Sequence, residues 1–551
     1  MAVVSDRFHI DTKKSDVLVI GAGGAGARAA LAAAMAGAAV TLVSRSPLGQ
    51  GGLTPSGNGG YHAAMWPGDS PEIHAEDLIS MGCYLNDPDL VYTMTSEAPM
   101  RAKELAEFGA KVNFNIPPKP AEPQMRFPRS LFCPGREILR TLNGKLRGMS
   151  NVTILENHLA TRLLVSKGRV VGAVTLGLSD GTIRVCTAKT VVLAAGSLGE
   201  LYPLTSQEPM GVPTGSTGTG YAMAAWAGAE LVDMEEIQFA ITPARGPNRG
   251  MRCLPWAKMV NAKGEEFVTP GEGPYSDIVA RDVWREISEG RGPVIMDLRG
   301  ELRDTSRKMD PVTELRGKIL DDMEAMPWQK PVEVGIGSLY CMGGVRINKD
   351  TQTSLPGLFA AGEVSGNVHG GRRVSGNAFP EMIVFGARAG EAASKEALAM
   401  LSVPEADQDQ VNSEVDYLNT LVEGSKTGSV DHREIRKEVR DIMYKDAHMF
   451  RNETDLTAGL QRIDEVKAML PKLACGQGLI YNLDLVGCID ARAMVTTAGA
   501  VLTAALARKE SRGAHYRTDY PELSTEVNHT VLRSMDDGWD VRLVPVSPAR
   551  R

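Results

Sequence analysis

Residues 16–30 read DVLVIGAGGAGARAA, and this stretch decides the fold. Asp16 to Ile20 is a short apolar run rich in β-branched residues, the pattern of a strand buried on both faces. Gly21, Gly23 and Gly26 follow in G-x-G-x-x-G spacing. An Ala-rich helix then runs to about Ala36, Gly37 stops it, and Ala39 to Val43 predicts a second strand. In such a βαβ unit Gly21 permits the tight turn, Gly23 lets the backbone approach a pyrophosphate, and Gly26 lets helix and strand pack closely. The free N–H groups at the helix start favour phosphate. An acidic residue normally follows the second strand and holds the ribose hydroxyls. Ser44 and Arg45 stand there instead, which argues against a plain NAD site and leaves the dinucleotide open.

The rest of the chain bounds the answer. Its 551 residues predict about three or four domains, and 43% apolar with 23% charged residues is ordinary for a soluble globular protein. That excludes long disorder, a coiled coil and a small secreted scaffold. The 58 glycines exceed the usual share and show no G-X-Y period, so they mark turns and close ligand approaches. A net charge of −7 argues against nucleic acid as a partner. The seven cysteines lie no closer than 13 residues apart, so no CxxC pair exists for zinc or an iron–sulfur cluster, and no metal site is expected. Such scattered thiols, with no signal peptide and no apolar run long enough to span a bilayer, predict a soluble, cytoplasmic chain.

Further along, Pro47 to Gly60 (PLGQGGLTPSGNGG) is a glycine-rich loop of the kind that lies against a flat ligand. Asn151 to Val174 reads as a meander of short strands turning at Lys167-Gly168, and Thr190 to Ala195 as another buried strand closed by Gly196. Thr217-Gly-Thr-Gly220 opens an Ala-rich helix. Residues 236–340 lose the βαβ rhythm, Gly357 to Ala361 resumes it, and a helix is expected from about Pro380 to Leu401. Helical periodicity runs from about Asp407 to Arg508, and the last forty residues read as irregular.

Ten segments, in order, carry a resemblance over nearly the whole chain: DVLVIGAGGAGARAA, the loop ending SGNGG, HAEDLISMGCYLNDPDLV, TVVLAAG, TGTGYAMAAWAGAELVDMEEIQF, RDVWREISEGRG, MGGVRIN, LPGLFAAGE, HGGRRVSGNAF and SRGAHYRTDYPE. The chain resembles the flavoprotein subunits of succinate dehydrogenase and fumarate reductase, with L-aspartate oxidase and adenylylsulfate reductase as relatives. The resemblance implies an α/β fold with a Rossmann-like FAD-binding domain split in sequence (1–235 and 341–402), an inserted α+β capping domain (236–340), and a C-terminal helical domain with its tail (403–551). It assigns Gly21, Gly23, Gly24 and Gly26 to the pyrophosphate, and Ser44 and Arg45, matching the family's Ser-Lys, to the adenosine ribose. Gly59 and Gly60 fall to the flavin-facing loop, Ala160 to adenine, Ala195 and Gly196 to the cofactor-side turn, and Glu363 to the ribityl hydroxyls. Asn377 and Ala378 fall to the backbone approaching the isoalloxazine ring. The acid of the family's TGDG is Thr219 here. The histidine that attaches FAD covalently in succinate dehydrogenases matches Leu53, so the resemblance implies non-covalent FAD.

For the reaction, the resemblance implies hydride transfer between flavin N5 and a carbon adjacent to an acid group. Arg281 takes the proton-transfer position, and Arg373 grips a substrate carboxylate with its bidentate fork. Two histidines that grip the dicarboxylate in the family are Ala240 and Leu339 here, and the family's acidic TEG segment has no counterpart around Gly250 to Arg252. The expected substrate is therefore an anionic small molecule other than plain succinate or fumarate, larger or more apolar toward Ala240 and Leu339. His369 is a further candidate for flavin or substrate, and His62 a lesser one. Trp256 and Trp284 line the capping-domain pocket or belong to its core. Two alternatives stand beside this reading: flavin–sulfur chemistry like that of adenylylsulfate reductase, suggested by the PARG segment and Trp256, and an electron-relay flavoprotein subunit of a complex. The family implies an iron–sulfur or ferredoxin-like electron-transfer partner.

Overall fold

The structure, a computed structural model, describes residues 7–57, 59–117, 124–207, 214–246, 258–267, 276–297, 329–424 and 429–547. The chain divides into two compact units. The larger takes 1–201, 216–236 and 341–551, and the smaller takes 202–215 and 237–340.

The larger unit is built on a seven-stranded sheet. Its order is Val152–Leu155, Val40–Val43, Ile10–Ile20, Ile183–Leu193, Arg169–Gly177, His158–Ser166, with Leu358–Ala360 also beside Ile183–Leu193. The dinucleotide strand pairs in parallel with both neighbours, whereas the last two strands join antiparallel as the expected meander, turning at Lys167-Gly168 with positive φ at both residues. The strand expected over 16–20 starts earlier, at Ile10. Residues 10–14 are only half-buried or exposed, so no apolar run announces them.

The helix Gly24–Met35 is buried along nearly its whole length, and Ala378–Ala399 packs along it. Two glycines one turn apart make that approach feasible: a Cβ at Gly386 would lie 2.6 Å from the Ala25 carbonyl, and one at Gly390 2.1 Å from that of Ala29. Four helices follow, Gln408–Glu423, His432–Asp446, Glu453–Met469 and Leu483–Ala507. The last is long and apolar enough to cross a membrane by length and composition, yet 89% of that stretch is buried inside the fold.

The tail is not irregular. Asn528–Met535 and Gly538–Pro545 form a hairpin, and its first strand pairs with Leu231–Val232. The unit is closed there by a buried charge cluster in which Arg508 bonds Asp233, Glu235 and Glu510. Glu236 beside it accepts from the Ala514 and His515 amides, and burial raises its carboxyl well above the ordinary range.

The smaller unit is α+β. Its sheet runs Ile237–Pro243, Val332–Cys341, Val294–Asp297, Lys258–Val260, and the helix Ser276–Ser288 packs on the first of these strands.

Candidate active site

The pyrophosphate turn takes the geometry its glycines demand. Gly21 has φ +104°, and a Cβ there would lie 2.2 Å from the Ala194 carbonyl; a Cβ on Gly26 would lie 1.8 Å from the Gly21 carbonyl. Neither position tolerates a side chain. Gly23 differs, because its Cβ would meet only Thr54 Oγ1, at 3.5 Å, so the backbone there is open to a ligand. The Gly24 amide donates to Thr54 Oγ1 at 3.0 Å, which fastens the glycine-rich loop onto the helix start. A lone Thr in a loop carries no signal, so the role of Thr54 is invisible in the sequence.

Gly196, with φ +82°, closes the Ile183–Leu193 strand, and a Cβ there would meet nothing within 4 Å. Ala195 beside it is half-buried. Ala160 is buried at a register irregularity of the His158–Ser166 strand. Gly59 has φ +92° and lies under the Phe132 ring, while a Cβ on Gly60 would come 3.5 Å from Gly376 Cα. One oxygen of Glu363 is held twice, by the Ser197 hydroxyl at 2.5 Å and the Cys341 amide at 3.1 Å. Its carboxylate is therefore fixed in place.

Ser44 and Arg45 follow the second strand, as the sequence places them. The Ser44 hydroxyl donates to the Ser46 carbonyl at 2.6 Å. Arg45 makes a bidentate pair with Asp490 on the Leu483–Ala507 helix, at 3.0 and 2.6 Å. The same buried carboxylate accepts from Thr217 at 3.0 Å and from Thr219 at 3.5 Å. Asp490, from far down the chain, thus ties positions 45, 217 and 219 together. Asp490→Asn removes the carboxylate bonded to Arg45, and breaking such a pair costs about 3 kcal/mol. The expected outcome is a thermal midpoint several degrees lower and weaker FAD binding, read by calorimetry and by flavin fluorescence; unchanged values would remove Asp490 from the site.

Next to the Gly59–Gly60 loop lies a polar network. His62 and His74 both bond the side chain of Asn377, and His62 also bonds Ser130. Burial, then the nearby Arg129, pushes the His62 imidazole down to about 3 and holds His74 well below its ordinary value. Arg129 is itself fully buried and paired with Asp69 and Asp77. Arg373 and His369 are buried in the same unit, and His369 is kept neutral by burial and the Arg373 charge. In the sequence His74 stands out only as part of a matching segment.

In the smaller unit, Arg281 sits half-buried on the Ser276–Ser288 helix. A Cβ on Gly337 would lie 2.9 Å from Thr242 Cγ2, so Thr242 and Gly337 share a face of the sheet. By strand alternation Ala240 and Leu339 lie on that same face. The two positions are thus brought together, Ala240 buried and Leu339 half-buried. Trp284 is buried. Trp256 and Gly250 to Arg252 lie outside the described residues. No group of three or more candidate metal ligands occurs among the described residues.

A helix start with an open glycine backbone, a second uncrowded glycine and a fixed carboxylate able to accept from hydroxyl groups suit a dinucleotide such as FAD. The comparisons with known proteins agree. Residues 16–379 match the FAD binding domain model and 436–547 the fumarate reductase flavoprotein C-terminal model. The chain is 33% identical to a subunit of the CoM/CoB fumarate reductase of Methanothermobacter marburgensis, over 94% of this chain and 96% of that protein. It is also 33% identical to the L-aspartate oxidase of Mycobacterium leprae, over 95% and 96% respectively. The flavoprotein FrdA of E. coli quinol fumarate reductase superposes with a TM-score of 0.87 at 26% identity, covering 98% of both chains. The chain belongs to the succinate dehydrogenase/fumarate reductase flavoprotein family and is an FAD-dependent oxidoreductase of that type.

Proposed function

We propose that this oxidoreductase acts on the carbon adjacent to an acid group, in a substrate that carries one anionic group for Arg373 and a larger or more apolar portion in place of a second carboxylate. The shared face of Ala240 and Leu339 carries this reading. A site built to hydrogen-bond a second carboxylate needs donors, and neither side chain has one. Bound FAD would supply the two-electron acceptor or donor. The protein's part is to bind and orient: Arg373 presents two parallel N–H donors to a carboxylate, and Arg281 holds the proton-transfer position as a relay.

Ala240→His with Leu339→His tests the reading. The double variant is expected to gain fumarate reduction about tenfold or more over the parent, read with a reduced viologen dye; parent turnover already as fast as the variant's would contradict it. FAD is proposed to be non-covalent, because Leu53 is aliphatic and the one imidazole in the loop region, His62, is committed to Ser130 and Asn377. Acid precipitation should then leave all the yellow colour in solution.

Hydride chemistry is favoured over attack on sulfur. Arg245 of the PARG segment pairs with Glu333 and its side chain is 81% exposed, so it offers little to a buried nucleotide sulfate. The electron partner is proposed to be an iron–sulfur or ferredoxin-like protein, which fits a relative that is itself one subunit of a larger reductase.

A further inference from the structure

The side chain of Asn377 is gripped from several sides. Its Nδ2 donates to the Val374 carbonyl at 3.3 Å, and a carbonyl can only accept, which fixes which end of the amide is which. Nδ2 also faces His62 Nδ1 at 3.2 Å, so that nitrogen accepts and His62 carries its proton on Nε2, donating to Ser130 Oγ at 3.0 Å. The amide oxygen faces His74 Nε2 at 3.1 Å, so His74 donates from Nε2. Its Nδ1 is buried without a hydrogen-bond partner. One set of tautomers satisfies every bond to Asn377.

That network ends on a short turn. The Asn377 amide bonds the Val374 carbonyl at 3.3 Å, and the His62 amide bonds the Gly376 carbonyl at 2.9 Å. Gly376 has φ +89°, and a Cβ there would lie 2.3 Å from His62 Nε2, so the imidazole rests against the turn itself. The turn begins beside Arg373 and ends at Ala378, the first residue of the helix Ala378–Ala399. Asn377 is the residue before this helix, yet its side chain makes no cap bond, because the two histidines have taken it. An amide in the middle of the chain does not pass protons readily, so these contacts suit holding rather than relay.

We propose that His62 and His74 are positioning residues: by clamping Asn377 they lock the turn from Arg373 to Ala378, and so fix where the arginine and the backbone ahead of the helix are presented to the flavin and substrate. This rests on the FAD reading above. The groups facing the clamp are Arg129 with Asp69 and Asp77, Arg373, Ser130 and Asn377.

Two pairs of substitutions separate holding from acid–base work. Asn places an oxygen near the Nδ1 position of His, and Gln places an NH2 near the Nε2 position. His62→Asn and His74→Gln therefore keep the bonds to Asn377, whereas His62→Leu and His74→Leu abolish them. In the FAD-loaded protein the flavin reduction potential of each Leu variant should fall by at least half of the fall seen in Arg373→Leu. The Asn and Gln variants should stay close to the parent. Leu variants with the parent's potential, or Asn and Gln variants as displaced as the Leu ones, overturn the proposal. Nitrogen-15 spectra of histidine-labelled protein give a reading independent of FAD: while the protein remains folded, from pH 8 to 6, both rings should stay neutral Nε2–H tautomers, and a ring that titrates in the folded protein overturns the clamp. If the chain takes up no FAD, the FAD reading fails, and the tautomers still decide the clamp.

Discussion

Lowering the pH from 7 to 5 should strip most of the stability from the larger unit. Four imidazoles there, His62, His74, His369 and His515, are buried and held neutral, each pushed down first by burial and then by neighbouring arginine charge. On unfolding each regains its ordinary value near 6.5 and takes up a proton below it. Their folded values are depressed, so the stability they contribute is full above about pH 6.5 and is lost as pH falls toward the folded values, about 3 for His62. Each proton is worth about 1.4 kcal/mol per pH unit, so the four give roughly 5 kcal/mol per unit; the buried Glu236, raised well above its ordinary value, opposes them by one proton and leaves a net of roughly 4. A typical native margin is about 5–15 kcal/mol. Denaturant midpoints measured between pH 7 and 4.5 should fall steeply, with unfolding by about pH 5 to 4 even without denaturant. A flat profile across that range would show that the imidazoles are solvated or charged in the fold.

The second large effect is on turnover. If Arg373 holds the substrate carboxylate as proposed, Arg373→Leu removes both N–H donors, and hydrogen bonds to charged groups are worth about 1.5–3 kcal/mol each. The expected loss in kcat/KM is roughly 10²–10⁴-fold, with FAD still bound. Arg373→Lys should recover part of it, because a point charge replaces a fork. Arg281→Leu should act mainly on kcat, because the proton-transfer position matters at the transition state and little in the ground state. A change in KM alone at position 281 would reassign it to binding.

Much of this is legible from residue order. Gly21 and Gly26 sit where a Cβ would collide with backbone, and such glycines keep their spacing in the sequence because turn geometry is local. The meander around Lys167-Gly168 and the Ala-rich helices are visible for the same reason. What stays hidden depends on distance along the chain. Asp490 meets Arg45 across 445 positions, and no periodicity signals a carboxylate arriving there from a far helix. His74 reaches Asn377 across 303 positions. Ile10 to Lys14 extend the first strand without apolar residues, because their edge of the sheet is partly solvated. The C-terminal hairpin escapes a reading by residue order because its second strand is largely exposed and so lacks the buried alternation that marks a strand.

The central claim is an FAD enzyme whose pocket prefers one acid group plus an apolar portion. Its most direct test is a single turnover: the purified protein is reduced without oxygen, then mixed in parallel with fumarate and with a series of singly charged 2-enoic acids of increasing size, and the return of the oxidised-flavin spectrum is timed. At least one monoacid should reoxidise the protein tenfold or more faster than fumarate. Rapid reoxidation by fumarate with every monoacid inert, or a preparation that holds no flavin at all, would contradict the account.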